Sequence, residues 1–276
     1  MHSLVAIALL VSQIIGNDFT FTVHAGDSLT SIGARFGVDI RVIAEANGLK
    51  PTDRLKTGQV LTIDNRHIVP ANDNFEVIIN VPQRMLFHFE SDQVSCGFPI
   101  AAGKPDWRTP LGEFEIMSKE EKPTWDVPVS IQEEMRRSGK PVLTHVPPSP
   151  ENPLGDYWIG LSLPGIGIHG TNAPPSIYKL ATHGCIRLHP DDVEELFSKI
   201  DVGTRGRIVY EPTLAARVGN SVFLEVHPDA YKKGSDVLNK VLETARTNGF
   251  LDMLDLPLVN EVIRKRDGIA RDVTRH

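Results

Sequence analysis

The sequence predicts an α+β protein in three parts: a small βααβ module, a mainly β domain of sandwich or barrel-like build, and a short helical C-terminal extension. Three observations predict it. Residues 19–65 carry strand, helix, helix and strand signals in close succession. Residues 67–211 run as short alternating segments separated by Gly and Pro turns. Residues 218–276 open as a strand and pass into apolar spacing of helical period. With 276 residues and 41% hydrophobic content, the chain can bury one large core or two modest ones. Its net charge is −6 and it has no dense Lys/Arg tract, so no concentrated basic footprint is offered to a nucleic acid.

The first stretch, "MHSLVAIALLVSQIIGND", has an apolar run from Leu4 to Ile15. A membrane-spanning helix needs roughly 20 such residues, whereas a signal-peptide apolar region is this short. No Lys or Arg precedes the run, and Gly16, with Ile14 two residues before it, makes a poor cleavage site. A buried strand or short helix is therefore the competing reading. Residues 1–17 are read as an export signal, which places the protein in the periplasm or cell envelope.

In the βααβ module, Phe19 to Val23 alternates as a strand, and Gly26-Asp27 makes a turn. Ser28 can cap a helix whose Leu29, Ile32 and Phe36 share one face, and Gly37 stops it. Asp39 can cap a second helix with Ile40, Ile43 and Ala44 inward, ending near Asn47-Gly48, before a strand from Val60 to Ile63. "TVHAGDSLTSIGARFGV", "EANGL" and "LKTGQVLTI" together resemble a lysin-motif (LysM) domain. The resemblance implies binding of N-acetylglucosamine-containing glycan through the loops after the first strand and second helix, with Gly26, Asp27, Ser28 and Asn47 as candidate contacts. Most of the shared pattern is core and turn, so it identifies the fold more directly than it identifies a sugar site.

In the mainly β domain, "FEVIINVPQRMLFHFE" reads as two strands broken at Pro82, and "SCGFPIAAGKPDWRTPLGEFEIMSK" continues with turns at Gly103-Lys104-Pro105 and Pro110-Leu111-Gly112. A Pro-rich insertion with one helical run, Ser130 to Arg137, is followed by strand-like "YWIGLSL" and "GIGIHG". Cys96 reads as a small buried hydrophobe, with a disulfide to Cys185 as the alternative. Trp107 and Trp125 flank the insertion and either line a groove or pack locally. For His67, His88 and His145 the sequence shows no partner.

"GIGIHGTNAPPSIYKLATHGCIRLHPDDVEELF" gathers His169, His183, Cys185 and His189. Three readings compete: a cysteine nucleophile with its base, a zinc site, and a loop without chemistry. A thiol of free pKa about 8.5 needs a nearby base or cation to act at neutral pH. In an extended segment His183 and Cys185 would project to one face, Gly184 would admit a substrate closely, and the amides of residues 183 to 185 would aim at an oxyanion. Each such donor is worth about 3 kcal/mol. The four candidate zinc ligands match no standard closed spacing. A scaffold helix should follow, with Pro190 first, Asp191 and Asp192 at its positive end, and Val193, Leu196, Phe197 and Ile200 inward. Spacing alone leaves all three readings open.

"IHGTN" followed by "THGCIRL" resembles the signature of the L,D-transpeptidase catalytic domain family. "GKPDWRTPLGEFEI", "PTWDVPVSI", "PPSPENPLGDYWIGLSLPGIGIHGTN" and "HPDDVEELF" extend the likeness over roughly residues 67–227. The resemblance implies that Cys185 attacks the carbonyl joining the third residue of a peptidoglycan stem to its terminal D-alanine. It makes His169 the base and later the acid, oriented by backbone carbonyl, and sets His183 beside the nucleophile. Gly170, Thr182, Gly184 and Arg187 then shape the substrate pocket. Arg187 steadies the loop or meets a substrate carboxylate, unless it is a plain surface arginine. No cofactor and no metal is implied. An amine of a neighbouring stem or of an envelope protein resolves the thioester, and carbapenem-type β-lactams are expected to acylate the same sulfur. A hydrolase on the same scaffold and a non-catalytic glycan binder are the rival functions.

The remaining stretch, residues 218–276, begins with strand-like "VFLEVHPDAY". Val237, Val241, Leu242 and Ala245 then follow helical spacing, and "LPLVNEVIRKRDGIARDV" is expected to continue as helix.

Overall fold

In a computed structural model the described residues are 13–234 and 236–276. Most of the expected export signal therefore lies outside them. Its last residues do not behave as a detached leader. β1 (Ile14–Ile15) pairs antiparallel with β4 (His67–Ile68), and the Gln13 side chain accepts a hydrogen bond from the Val94 amide. Cleavage at Gly16 would remove this strand. Among the described residues, no helix is long and apolar enough to cross a membrane.

The βααβ expectation is met closely. β2 (Asp18–Thr22) pairs with β3 (Val60–Asp64), and between them run α1 (Leu29–Phe36) and α2 (Ile40–Ala46). Ser28 caps α1 in a reciprocal box with Ser31, and Gly37 ends it at φ 70°, a left-handed turn that glycine adopts without a Cβ clash. Leu29, Ile32, Ile43, Ala44, Leu61 and Ile63 form its core.

The central domain is one sheet closed on itself. Its strands are β5 (Val77–Asn80), β6 (Met85–Glu90), β7 (Gln93–Gly103), β8 (Gly112–Glu121), β11 (Tyr157–Leu161), β12 (Gly167–His169), β13 (Leu180–Thr182), β14 (Ile186–Leu188) and β15 (Arg205–Val209). The insertion between β8 and β11 holds β9 (Trp125–Asp126), α3 (Val129–Arg137) and β10 (His145–Val146). Long β7 closes the ring: its first half pairs with β6 and its second with β14. β13 adds to it as an outer strand. Ile79, Leu86, Ile100, Ile116, Ile159, Ile168 and Ile186 fill the interior, capped by Val193 and Leu196 of α4 (Pro190–Lys199). β5 is buried on both faces because Ile78 packs outward with Phe87 and with Ala34 of α1. The Arg35–Asp192 bridge at 2.7 Å also ties α1 to α4.

The C-terminal part departs from expectation. It starts earlier, with β16 (Thr213–Val218) paired to β17 (Ser221–Val226), followed by α5 (Val237–Thr247) and α6 (Leu256–Lys265). The helical pattern does not run on to Val273. Arg266 turns left-handed at φ 48°, and β18 (Arg271–Asp272) returns to pair with β17. "RDGIARDV" follows this return: Ile269 is buried in the core of the βααβ module, Ala270 against Ile68, Leu214 and Ala216, and Val273 in the C-terminal core against β17.

All three parts meet at Glu225, which is fully buried. One carboxylate oxygen accepts from His67 Nδ1 (2.8 Å), His227 Nε2 (2.7 Å) and Gln83 Nε2 (3.0 Å), and the other accepts from the Ile68 amide (2.6 Å). His67 Nε2 lies 3.0 Å from the Gly37 carbonyl. His67, which the sequence left without a partner, is thus the link between LysM-like module, barrel and C-terminal sheet.

Candidate active site

Cys185 and His169 come together because β12 and β14 are parallel neighbours. Ile168 pairs with Ile186 and His169 with Arg187. Ile168 and Ile186 point into the barrel, so His169, Arg187 and Cys185 share its outer face. The His169 Nδ1–H donates to the Gly170 carbonyl at 2.7 Å, which leaves the ring's lone pair on Nε2. The Leu154 carbonyl also accepts from this ring. Leu154 is delivered by the insertion, whose end is pinned by fully buried Asn152 through the Pro123 carbonyl and the Leu154 amide.

Burial is the dominant electrostatic effect. Desolvation, helped by the Arg187 charge, pulls the His169 pKa down to about 3. Desolvation also raises Cys185, against the opposing pull of the Gly167 amide and Arg187. The resting pair is therefore uncharged, and the thiol donates to the Gly165 carbonyl at 3.6 Å. Trp158, opposite His169 on β11, stacks near its ring at a centroid distance of 6.0 Å and lies over Gly167, where any Cβ would collide with the indole. This wall of the site was not singled out from the sequence.

Residues 183–184 form a bend, so the expectation of an extended segment with His183 and Cys185 on one face is wrong. Gly184 sits at φ 115°, a conformation that disfavours a side chain. His183 turns away to donate to Glu134 Oε2 of α3 at 2.6 Å, and Trp107 meets its ring edge-on at 4.7 Å. Thr182 ties the bend: its hydroxyl donates to the Cys185 carbonyl at 2.6 Å and accepts the Gly184 amide at 3.2 Å. The Gly184 amide is thus already engaged, which removes it from the expected oxyanion set. Gly170 serves through its carbonyl on His169. Arg187 is no surface residue: it is largely enclosed, with one arm on Ser176 Oγ at 2.9 Å.

The other expectations sort themselves by contact. His189 caps α4 through the Asp191 amide, so the four candidate zinc ligands disperse to separate partners. His67, Glu225 and His227 do lie within metal-ligand reach of one another. Both His67 nitrogens, however, face oxygen acceptors, and a metal would need one of those lone pairs free. Cys96 and Cys185 are free thiols, and burial lifts Cys96 to about 11. Trp107 lines the site, whereas Trp125 belongs to the insertion hairpin. His88 is buried with its pKa lowered by desolvation, and the His145 ring lies 3.3 Å from the Thr144 hydroxyl in the insertion hairpin. In the LysM-like module Asp27 accepts from the His24 amide and Ser28 caps α1. Asn47 spends its amide on Ile43 and Thr62, and Gly26 is exposed at φ 92°.

A half-buried thiol and a buried imidazole on neighbouring strands of a closed sheet are an arrangement suited to cysteine-dependent acyl transfer. The L,D-transpeptidase catalytic domain model matches residues 74–209, and the LysM domain model matches residues 21–64. The probable L,D-transpeptidase ErfK/SrfK of Escherichia coli is 33% identical over 221 residues, covering 78% of this chain and 71% of its own length. The probable L,D-transpeptidase YbiS of the same organism is 29% identical over 274 residues, covering 94% and 88%. The putative L,D-transpeptidase YkuD of Bacillus licheniformis is 32% identical over 188 residues, covering 67% and 95%. A solved catalytic domain of the E. faecium L,D-transpeptidase, acylated by ertapenem, shows 23% identity over 51% of this chain, with a TM-score of 0.38. The chain belongs to the L,D-transpeptidase family and carries an N-terminal LysM domain. It is an L,D-transpeptidase acting on peptidoglycan.

Proposed function

We propose that Cys185 is the nucleophile and His169 the general base of this transpeptidase. The thiol leaves the Gly165 carbonyl, gives its proton to His169 Nε2, and the sulfur attacks the carbonyl between the third stem residue and terminal D-alanine. The C–N bond then breaks, His169 returns the proton to the departing amine of D-alanine, and a thioester remains on Cys185. An acceptor amine attacks the thioester, the C–S bond breaks, and His169 carries the proton from the amine to the sulfur. The His183 and Cys185 amides serve as oxyanion donors, and His183 holds α3 near the site through Glu134. The single observation that carries this reading is the ladder register, which puts His169 and Cys185 on one face with His169 Nδ1 committed to backbone carbonyl.

The same reading places the enzyme outside the cytoplasm, in the periplasm or cell envelope, where the LysM domain holds glycan strands. Tethering there raises the local concentration of stem peptides. The acceptor is a neighbouring stem or an envelope-protein amine, with water as the competing acceptor in a hydrolase outcome. Carbapenem-type β-lactams acylate Cys185. The test is incubation with tetrapeptide stems, with and without an amine acceptor, read by mass spectrometry. Cross-linked product in the presence of the amine supports transfer; tripeptide alone means hydrolysis. A Cys185→Ala variant that still turned over stems would remove the nucleophile assignment.

A further inference from the structure

Tyr231 belongs by sequence to the C-terminal part, yet it completes the core of the catalytic barrel. It is 1% exposed, the largest of the fully buried side chains among the described residues, and packs with the barrel interior. Its ring stacks on Tyr210 at 5.2 Å, its amide donates to the Tyr210 hydroxyl (2.8 Å), and that hydroxyl donates to Asp229 (2.6 Å). The Tyr231 hydroxyl in turn donates to the Gly103 carbonyl (2.7 Å) and accepts the Thr109 amide (3.1 Å). Thr109, itself buried, accepts the Gly103 amide at 2.9 Å and donates its hydroxyl to the Gly184 carbonyl at 2.8 Å.

That last bond has a geometric consequence. The Gly184 carbonyl and the Cys185 N–H belong to one planar trans peptide, so fixing the direction of the oxygen fixes the opposite direction of the N–H. We infer that Tyr231 is a positioning residue for the reaction: through Thr109 it sets the plane of the 184–185 peptide and so aims the Cys185 amide at the oxyanion. The inference rests on the reading of Cys185 as nucleophile. It makes the C-terminal part a support of the catalytic machinery, since the chain after β17 brings Tyr231 to the turn of residues 103–109, where Thr109 holds the Gly184 carbonyl.

The test uses the full chain. Tyr231→Phe keeps the ring and removes the hydroxyl. It should lower kcat on the order of 10- to 100-fold, short of the roughly 10²- to 10³-fold loss when an oxyanion donor is removed outright, with KM held within about twofold. Alkylation of Cys185 by iodoacetamide develops no oxyanion, so its rate should stay at the wild-type value. Thr109→Val should reproduce the defect, Thr109→Ser should rescue it, and Tyr231→Phe with Thr109→Val should cost less than the two losses multiplied. Val241→Ala, in the separate C-terminal core, should lower the melting temperature and leave kcat intact. The inference is overturned if Tyr231→Phe leaves kcat unchanged, if alkylation slows by the same factor as kcat, or if Val241→Ala lowers kcat as much. Should Tyr231→Phe fail to fold, the Thr109 pair decides alone: equal kcat for Thr109→Val and Thr109→Ser overturns it. Turnover surviving in Cys185→Ala would instead mark failure of the underlying nucleophile assignment.

Discussion

Two buried histidine sites in this protein use the same side chain for opposite ends. At the module junction, His67 stands between the Glu225 carboxylate and the Gly37 carbonyl, and His227 donates to the same carboxylate. At the active site, His169 is also buried, but its polar surroundings are backbone carbonyls and the Arg187 cation rather than a carboxylate. Burial alone would raise Glu225, yet the two imidazoles outweigh it and hold the carboxyl down at about 2. No such counter-charge rescues His169, which falls to about 3. The difference is that the imidazole facing a carboxylate serves as a staple, whereas the one without such a partner stays neutral with a lone pair free to take a proton.

The largest effect that sharpens this contrast is expected at the reactive site. His169→Ala should lower kcat by about 10²- to 10⁴-fold, the usual contribution of a positioned acid–base group. The melting temperature should fall less than in Glu225→Ala, because the ring gives up neutral contacts with backbone carbonyl and Trp158 rather than a shared charged acceptor. A steady-state assay beside a thermal melt checks both. A variant that lost stability and activity in step would erase the distinction between the two sites.

At the junction the expectation is reversed. Glu225→Ala leaves two imidazoles, Gln83 and the Ile68 amide without their shared acceptor. Breaking a buried pair in this way costs about 3–5 kcal/mol, measured by denaturant unfolding. Well below the new midpoint, kcat should remain near wild type, since Glu225 bonds His67, His227, Gln83 and Ile68 and not the residues that hold Cys185 or His169. Loss of turnover in a still-folded Glu225→Ala protein would break the comparison.

How much of each site was legible in the sequence follows from the same physics. The βααβ caps and the α4 face are local patterns, set by residues a few positions apart, and they appear where expected. The partners that decide chemistry are distant: Glu225 lies 158 residues from His67, Glu134 lies 49 from His183, and Tyr231 lies 122 from Thr109. Nothing in periodicity points to such pairs. The bend at 183–184 had a signal in Gly184, but glycine also suits a close substrate approach, and only the observed φ separates the two. Trp158 was hidden in a strand whose alternation explained it equally well as packing. The return of residues 271–272 to a sheet edge depended on β17, whose partner strand β16 was itself unread.

The two sites also divide the acid limb of the stability curve. For His169 the folded pKa is about 3 against an ordinary 6.5, so below 6.5 the unfolded chain takes up the proton first. Its contribution is therefore present above pH 6.5 and lost as pH falls toward 3. His227, also lowered by burial, acts in the same sense. For Glu225 the folded pKa is about 2 against 4.5, so its contribution holds above 4.5 and disappears as pH falls toward 2. Urea melts across pH should show His169→Ala flattening the upper part of the slope and Glu225→Gln the lower part. Identical slopes in both variants would mean that the two sites do not titrate as separate units.

The smallest expected effect lies where a histidine meets a carboxylate in the open. His183 and Glu134 are 2.6 Å apart, but their side chains keep 29% and 46% of their exposure, so water and salt screen them. The hydrogen bond from His183 lowers the Glu134 pKa without making the pair a buried staple. α3 has no buried residue of its own, so this contact and the insertion backbone are what hold it near the nucleophile. Glu134→Gln should therefore raise KM by only about two- to fivefold, shrink further at high salt and leave kcat alone. Were kcat to fall instead, His183 would depend on the carboxylate as His67 depends on Glu225, and exposure would not be what separates a latch from a staple.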